Sequence, residues 1–284
     1  MANLFSGLEA FGLGKMSNLE VYASDDKSSK KPGAGADGEE KAKVVESDLI
    51  FDKSYTCPVC DKEFKVKTVK TGKVKLISAD TDLRPKYQLV DSLKYDAIVC
   101  PHCGYSALNR FFNYMTSAQA KLIKEQISSS FKGIESDGEV LSYDEAIARH
   151  KLVLVNTIVK KSKLSERAYT CLKTAWLLRG KAEALLAEKQ GGETNETITQ
   201  LQKEELEFLT NAYEGFVDAF SKEMFPMCGM DENTMTYLVA DLARRIGKYE
   251  ESSRWISKVL IARDANERIK TKARELKELL KVNL

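Results

Sequence analysis

Two Cys-Pro-x-Cys elements constrain this chain more than any other feature of its sequence. They are Cys57-Pro-Val-Cys60 and Cys100-Pro-His-Cys103. Two residues between paired cysteines let both sulfurs face one metal ion, and the proline fixes the tight turn. Four thiolates complete a tetrahedron around zinc at Zn–S distances of about 2.3 Å. The spacing therefore predicts one Zn2+ ion bound by Cys57, Cys60, Cys100 and Cys103.

The donor set also predicts what the ion does. A site closed by four cysteine thiolates leaves no position for water or substrate, whereas a catalytic zinc normally keeps one position open. Metal binding worth about 10 kcal/mol or more can drive the folding of a segment too small to have its own core. A thioredoxin-like redox role for either Cys-x-x-Cys would require a βαβ context, which the sequence does not indicate. We therefore expect a structural ion.

The residue that follows each cysteine pair should adopt the left-handed conformation that closes such a turn. Gly104 follows the second pair and suits this conformation, because it has no Cβ. Asp61 follows the first pair, and aspartate tolerates the left-handed region better than most residues do. We therefore expect both turns to form.

Composition and motifs indicate a protein that is not an enzyme. The chain has 284 residues and a net charge of +2, which does not by itself call for a nucleic acid or a membrane. Its two histidines leave little room for histidine-based acid–base or metal catalysis. The sequence has no Gly-x-Ser-x-Gly element, no phosphate-cradling loop and no Cys/His pair with suitable spacing.

The sequence also predicts a location. No apolar run approaches the roughly 20 residues that span a bilayer, and residues 1–16 lack the basic start and continuous apolar stretch of a signal peptide. We therefore expect a cytoplasmic protein with no membrane partner. Six cysteines in such a protein indicate metal ligands or free thiols more than a disulfide framework.

Three regions follow one another along the chain. Residues 1–49 are predicted to be a flexible N-terminal arm and linker, since residues 24–46 are mostly Ser, Gly, Lys and Glu. Residues 50–110 are predicted to form a small zinc-ribbon β module. In this module EFKVKTVKTGKVKLIS alternates apolar and polar residues and predicts a β-hairpin that turns at Thr71-Gly72. The segment YDAIVC predicts a third strand that leads into the second cysteine pair.

Residues 111–284 repeat apolar residues at steps of three and four, which predicts antiparallel helices. The segment YLVADLARRIGKYEESSRWISKVLIARD resembles a tetratricopeptide unit. Ala240 stands where the two helices approach closely, Gly247 at the turn and Ser252 at the small position of the second helix. One such pair cannot bury its apolar stripe alone, so several must stack. The predicted fold class is α+β, mostly α, with the zinc-ribbon module followed by a tetratricopeptide-like helical array.

Four segments of the chain carry a family resemblance. They are YTCPVC, DTDLRPKY, YDAIVCPHCGY, and YDEAIARHKLVL with the later LKTAWLLRG. Together they resemble a bacterial family of uncharacterised zinc-ribbon proteins, catalogued as a domain of unknown function, over roughly residues 50–225. The resemblance implies zinc on the four cysteines and tetratricopeptide-like helices, and it supplies no activity.

The first functional hypothesis is a non-enzymatic interaction or scaffold protein. Stacked antiparallel helix pairs form a concave groove that can bind an extended segment of a protein partner, and Trp and Arg are favoured anchors at interfaces. Trp176 could equally be a core residue. The candidate groove residues, three on each of two helices, are Lys173, Trp176, Arg179, Tyr237, Asp241 and Arg244.

The second hypothesis is a nucleic-acid-binding module that uses a basic face of the zinc-ribbon hairpin. The residues that would contact phosphates are Lys65, Lys67, Lys73 and Lys75. No aromatic residue interleaves with these lysines to stack on bases, and a solvated strand face often carries lysine. The sequence therefore favours the protein partner over the nucleic acid.

The motif DTDLRPKY allows two interpretations. Asp80, Asp82 and Arg84 could form a small polar site or a carboxylate pair for a second metal. Alternatively, a buried pair between Arg84 and an aspartate could hold the crossover loop in place. We prefer the structural interpretation, because a carboxylate pair without a histidine or a third acid nearby is a weak indication of catalysis.

Overall fold

Three short antiparallel hairpins precede the helices in the computed structural model, which describes residues 44–134, 138–187 and 193–281. Their strands are β1 (Ile50–Thr56) with β2 (Glu63–Val69), β3 (Leu76–Ala79) with β4 (Pro85–Tyr87), and β5 (Ala97–Val99) with β6 (Ser106–Leu108). Most of the predicted arm lies outside the described residues. Its last part, Glu46–Leu49, forms a 3-10 turn with Leu49 buried against the folded unit.

Each Cys-Pro-x-Cys element is the turn of one of these hairpins. Residues 57–62, called knuckle 1 below, join β1 to β2, and residues 100–105, called knuckle 2, join β5 to β6. The predicted strand in YDAIVC is confirmed as β5. The hairpins therefore present the two cysteine pairs at equivalent positions.

The hairpin predicted over residues 63–78 is wrong. The strand β2 pairs with β1, β3 pairs with β4, and Thr71–Lys73 forms a 3-10 turn between the two sheets. Alternation fixes which face of a strand is apolar but does not specify its partner. Phe64 and Val66 of β2 pack into the core behind the knuckles, whereas all four residues of β3 are exposed.

Seven helices follow in the described part of the chain, and they confirm the α+β, mostly α, fold class. They are α1 (Ser117–Ile123), α2 (Tyr143–Val159), α3 (Leu164–Ala187), α4 (Glu193–Lys222), α5 (Glu232–Arg245), α6 (Tyr249–Ile261) and α7 (Glu267–Lys281). Capping boxes begin α1 at Thr116 and α2 at Ser142. The module boundaries at residues 49 and 110 remain predictions from the sequence.

The helices stack along the chain as neighbouring pairs. The strongest packing joins α3 to α4 and α5 to α6, and α7 packs on α6 and α5. The pair α5–α6 is the segment with the tetratricopeptide pattern. Ser252 Oγ donates to the backbone oxygen of Ala240 at 2.7 Å, and Gly247 turns the chain with a φ of +80°. The small residues thus lie where the repeat pattern requires close approach.

The apolar core is divided among these layers. One cluster lies among α2 to α5, a second among α5 to α7, and a third behind the two knuckles. None of the helices that the structure describes is both long and apolar enough to cross a bilayer.

Candidate metal centre and the crossover loop

The four knuckle cysteines lie together and could hold a metal ion. Their sulfur atoms all lie within 4.8 Å of one another. The Sγ atoms of Cys57 and Cys103 are 3.6 Å apart, and those of Cys60 and Cys100 are 3.7 Å apart. Four sulfurs at about 2.3 Å from a tetrahedral ion are separated by about 3.8 Å. The spacing fits that geometry and far exceeds a disulfide bond, and all four thiols are free.

Both knuckles are closed by the same backbone hydrogen bonds. In knuckle 1, the Asp61 N–H donates to the Cys57 oxygen at 2.9 Å, and the Cys57 N–H donates to Lys62 at 3.0 Å. In knuckle 2, the Gly104 N–H donates to Cys100 at 3.0 Å, and the Cys100 N–H donates to Tyr105 at 2.9 Å.

The residues predicted to be left-handed have this conformation in the structure. Asp61 has a φ of +59° and Gly104 a φ of +73°. One backbone donor faces a sulfur directly: the Val59 N–H donates to Cys57 Sγ at 3.4 Å. Such N–H groups stabilise a thiolate. The ring of His102, inside the second pair, is exposed.

The knuckles rest on an aromatic cluster. Tyr105 and Phe112 are fully buried, with ring centroids 5.0 Å apart, and Phe64 reaches Phe112 from β2 at 6.0 Å. The Tyr105 hydroxyl donates to the backbone oxygen of Phe112 at 2.9 Å. The cluster excludes water from one side of the cysteine site, which strengthens the electrostatic attraction between thiolates and a cation.

Knuckle 2 is also held by the segment around α1 and by α2. Asn156 of α2 donates to the Gly104 oxygen at 3.2 Å and to Ser106 Oγ at 2.8 Å. Ser128 Oγ donates to the Cys103 oxygen at 2.9 Å. The ring of Phe131 covers Gly104 so closely that an added Cβ would lie 2.6 Å from it. Glycine at 104 is therefore required by both conformation and space.

The thiols affect one another's protonation. Hydrogen bonds, first from Cys103 and then from Cys57, lower the pKa of Cys100 to about 2. The hydrogen bond with Cys100 raises the pKa of Cys57 to about 12, and the same partner raises the pKa of Cys103 above its ordinary value. In the cysteine cluster one thiol is thus readily deprotonated, and its charge disfavours deprotonation of the others. A divalent cation offsets this effect, because a coordinating thiol loses its proton.

The motif DTDLRPKY places a short segment, residues 80–84, against the helical array. This segment is called the crossover loop below. The Tyr237 hydroxyl donates to the Thr81 backbone oxygen at 2.7 Å, and Thr81 Oγ1 donates to Asp241 at 2.7 Å. Arg244 donates in turn to Thr81 Oγ1 at 3.3 Å. The α5 residues predicted to face the groove therefore contact a peptide segment of the chain itself.

On the α3 side, the loop carboxylates meet the other predicted groove residues. Asp82 is fully buried and accepts hydrogen bonds from Trp176 Nε1 at 3.1 Å and Arg179 Nη2 at 2.7 Å. Burial alone would raise the pKa of Asp82, but the hydrogen bonds and charge of Arg179 outweigh burial and lower it. Arg179 also pairs with Asp80 at 3.0 Å. The carboxylates are thus ionised partners of arginine.

The buried Arg84 fits the structural interpretation of the motif. Its guanidinium lies 3.5 Å from Asp80 and 3.1 Å from Glu183 of α3. Lys173 is the exception among the predicted groove residues, since it pairs with Asp96 at 2.7 Å, away from the loop. The structure therefore brings five of the six residues together and places Lys173 elsewhere.

The four lysines of the proposed nucleic-acid face are divided between β2, the 3-10 turn after it and the residue just before β3. Lys65 and Lys67 lie on β2, Lys73 in the 3-10 turn and Lys75 just before β3. Lys67 lies 4.0 Å from Asp52, and the other three are exposed. Because β2 and β3 belong to different sheets, these lysines do not form the one hairpin face that was expected.

Sequence reasoning missed Thr81 and Arg245. Arg245 donates to Thr81 Oγ1 at 2.9 Å and lies 3.3 Å from Asp82. The signal was present as two acidic side chains in DTDLRPKY and the arginines Arg179, Arg244 and Arg245 on the predicted groove helices. Opposite charges in two distant segments do not show that the segments touch until the path of the chain between them is known.

Fold and site together define a two-knuckle cysteine module joined to an array of antiparallel helices. The chain belongs to the bacterial family described as "uncharacterized protein conserved in bacteria" (DUF2225), whose profile matches residues 50–280. The family resemblance is thereby confirmed, and the match continues through α7. No curated protein and no solved structure matched the chain in the corresponding searches.

Proposed function

We propose that this protein is a non-enzymatic zinc-binding interaction protein. One structural Zn2+ ion joins the two knuckles, and the helical array binds an extended segment of a protein partner. The observation that supports partner binding best is the crossover loop, the β3–β4 turn, which bonds to side chains of α3 and α5. A surface that holds the acidic β3–β4 turn through arginine, tryptophan and tyrosine has the chemistry to hold an acidic segment of a partner.

An open surface continues from the crossover loop. A cavity of about 430 Å³ lies between α4 and α5, and its wall includes Leu206, Arg244, Arg245 and Tyr249. Arg244 and Arg245 also contact the loop, so the cavity and the loop share one wall. Leu206 is 47% exposed there. We propose that the partner segment binds in this continuation, beside the loop, with an acidic group near the arginines.

Affinity capture from a bacterial lysate, followed by titration of the purified partner, tests this role. The variant Leu206→Asp places a negative charge in the cavity and should weaken binding about tenfold, or about 1.4 kcal/mol. The matched control is Ile261→Asp, an equally drastic change at an exposed position of α6. Capture of nothing beyond a tag-only control would contradict the interaction role. Equal binding by both variants would contradict the surface.

The proposed zinc is tested by metal analysis. Purified wild-type protein should contain about one zinc per chain, and Cys57→Ser should contain almost none, because a tetrahedral site loses one of four thiolates. Cys171→Ser is the matched control, since Cys171 is a buried cysteine of α3 outside the cluster. A full zinc content in Cys57→Ser would exclude this site. The free thiols of all six cysteines also support the cytoplasmic location that we propose.

Nucleic acid is the second candidate partner. Within the described residues, Lys65, Lys73 and Lys75 are exposed and have no carboxylate partner. Binding through them should weaken steeply with salt, since neutralised phosphates release counterions. Fluorescence anisotropy with labelled single and double strands measures this dependence. Flat binding curves at low salt would remove the candidate.

A further inference from the structure

A second cavity lies at a different part of the molecule from the partner groove. It has a volume of about 840 Å³, within the range of about 300–1,000 Å³ that small-molecule sites occupy. Three segments meet around it: the residues just after β6, the connection from α2 to α3, and the connection from α4 to α5. This cavity is called the cleft below. No role assigned so far uses it.

The charges of the cleft are unbalanced. Its wall carries three cations and two carboxylates, Arg110, Lys160, Lys163, Glu166 and Glu223. Glu223 accepts hydrogen bonds from the backbone N–H and the hydroxyl of Ser165, at 3.1 and 2.5 Å. Its carboxylate is therefore bound to the first turn of α3. In the part of the chain that the structure describes, neither Arg110 nor Lys163 forms an ion pair within 4 Å, although Arg110 also interacts electrostatically with Asp96. The cleft therefore has spare positive charge.

Lys160 is the buried cation of the cleft. Its side chain is only 2% exposed, and its ammonium lies 2.7 Å from Glu166. An ammonium has three hydrogen-bond donors, and Glu166 is the one carboxylate that the described residues provide. A buried charge with unused donors is costly unless another acceptor completes its shell. The wall of a cavity is where a ligand could supply that acceptor.

Arg110 is fixed beside the opening. Its Nη1 donates to the backbone oxygen of Cys228. Gly229, the next residue, has a φ of +77°, and a Cβ at that position would collide with the guanidinium. The backbone of the α4–α5 connection is thus shaped around this arginine, while the guanidinium keeps further donors for a ligand.

The rim of the cleft is apolar. Tyr114 is 75% exposed and Met224 is 88% exposed, and both lie at the opening with Met115 and Pro226. Exposed apolar side chains that cluster beside a cavity give an apolar ligand a surface to cover. Cations on the wall and apolar groups at the rim fit a ligand that has both properties.

We propose that the cleft binds an organic anion with an apolar body, of the class of medium-chain or aromatic carboxylates. Its carboxylate would lie near Lys160 and Lys163, and its apolar part would contact Tyr114 and Met224. The site is separate from the groove beside the crossover loop, so failure of either proposal leaves the other standing.

Titration of the zinc-loaded full chain, labelled with 13C at methionine methyl groups, tests the cleft. The probes are octanoate and 4-phenylbutyrate, each compared with its uncharged amide. We expect saturable shifts of the Met115 and Met224 methyl signals, no shift of the buried core residue Met235, and binding of each amide at least about tenfold weaker. The amide keeps the apolar body and removes only the charge.

Two charge reversals locate the site. Lys163→Glu should weaken binding of the carboxylates about tenfold, which corresponds to about 1.4 kcal/mol. Lys163 is exposed, so this variant should fold. The control is Lys203→Glu on α4, about 30 Å from Glu223 along the helix at about 1.5 Å per residue. The absence of saturable shifts up to about 10 mM, equal binding of the amides, or equal affinity of Lys163→Glu would each overturn the proposal.

Discussion

The two knuckles have the same backbone and different surroundings. Each closes with the same pair of hydrogen bonds around a left-handed residue. Knuckle 1 ends a hairpin of seven-residue strands in which β1 exposes most of its residues. Knuckle 2 ends a hairpin of three-residue strands in which every residue is buried. The long hairpin is therefore the exposed one, and the short hairpin is the enclosed one.

This difference shows what local sequence can and cannot supply. The Cys-Pro-x-Cys spacing and a residue that tolerates positive φ suffice to set the turn in both places. The support for the turn comes from elsewhere in the chain. Asn156, Ser128 and Phe131 contact knuckle 2, and each lies 25 or more residues after the knuckle residue that it contacts. Knuckle 1 is supported by Phe64 and Val66 and, in the function proposed above, by the metal ion.

The largest expected effect is on knuckle 1 when zinc is removed. Without the ion, β1 and β2 would lose the cysteine link to knuckle 2 and keep contacts such as that of Phe64 with Phe112, whereas β5 and β6 would remain packed on α2. Structural zinc contributes about 10 kcal/mol or more, so the β1–β2 amides should lose at least about a thousandfold in protection, or about 4 kcal/mol. Hydrogen exchange with and without a chelator measures this loss.

The same experiment contains its own control. Amides of α5 and α6 belong to a separate core and should exchange at the same rate with and without zinc. Protection in β5 and β6 should fall much less than in β1 and β2. Equal losses in the two hairpins would show that the metal, rather than α2, holds knuckle 2.

The second effect concerns space around knuckle 2. Gly104→Ala should lower the free energy of unfolding by about 3 kcal/mol, because the left-handed conformation costs about 1 kcal/mol and the Cβ overlaps the ring of Phe131. Denaturant unfolding measures the change. In the double variant Gly104→Ala/Phe131→Ala the overlap is absent. Its loss of unfolding free energy should therefore be smaller than the sum of the losses in the two single variants. Simple additivity would contradict the contact.

The third effect is a dependence on pH through α2, the helix that supports knuckle 2. His150 is fully buried, and burial lowers its pKa to about 4, against 6.5 for the ordinary group, although Asp96 opposes the shift. His150 therefore binds a proton below about pH 6.5 in the unfolded chain but only below about pH 4 in the folded chain. Stability should fall as the pH drops through this window, by about 2 kcal/mol at pH 5.

The variant His150→Leu isolates this contribution. Its stability should fall less than that of the wild type between pH 7 and pH 5, by the same 2 kcal/mol or so, in denaturant unfolding at each pH. His102→Gln is the matched control, because the ring of His102 is exposed within knuckle 2 itself. Parallel pH profiles for the wild type and His150→Leu would refute the assignment.

The sequence predicted features that depend on spacing and failed where partners are distant. The four cysteines and the repeat pair α5–α6 follow from local patterns. The pairing of β2 with β1 does not, since β2 alternates equally well for any partner. The partner of β2 is set by knuckle 1, which forms the turn between β1 and β2. The cysteine spacing alone does not show that knuckle 1 is a hairpin turn.

The groove residues show the same limit in another form. The repeat pattern grouped Tyr237, Asp241 and Arg244 on one face of α5, and all three contact Thr81. It could not show that Thr81, about 160 residues earlier in the chain, lies on that face. A helix pattern identifies which side chains face a groove, and only the folded chain shows what already lies there.

The smallest expected effect returns to the first knuckle. Asp61 has the left-handed conformation but is exposed. Asp61→Gly should change the free energy of unfolding by no more than about 0.5 kcal/mol, because the relief of backbone strain offsets the greater entropy of an unfolded glycine. Denaturant unfolding of Asp61→Gly beside Gly104→Ala makes the contrast. A cost above about 1 kcal/mol at position 61 would mean that the aspartate side chain itself supports knuckle 1.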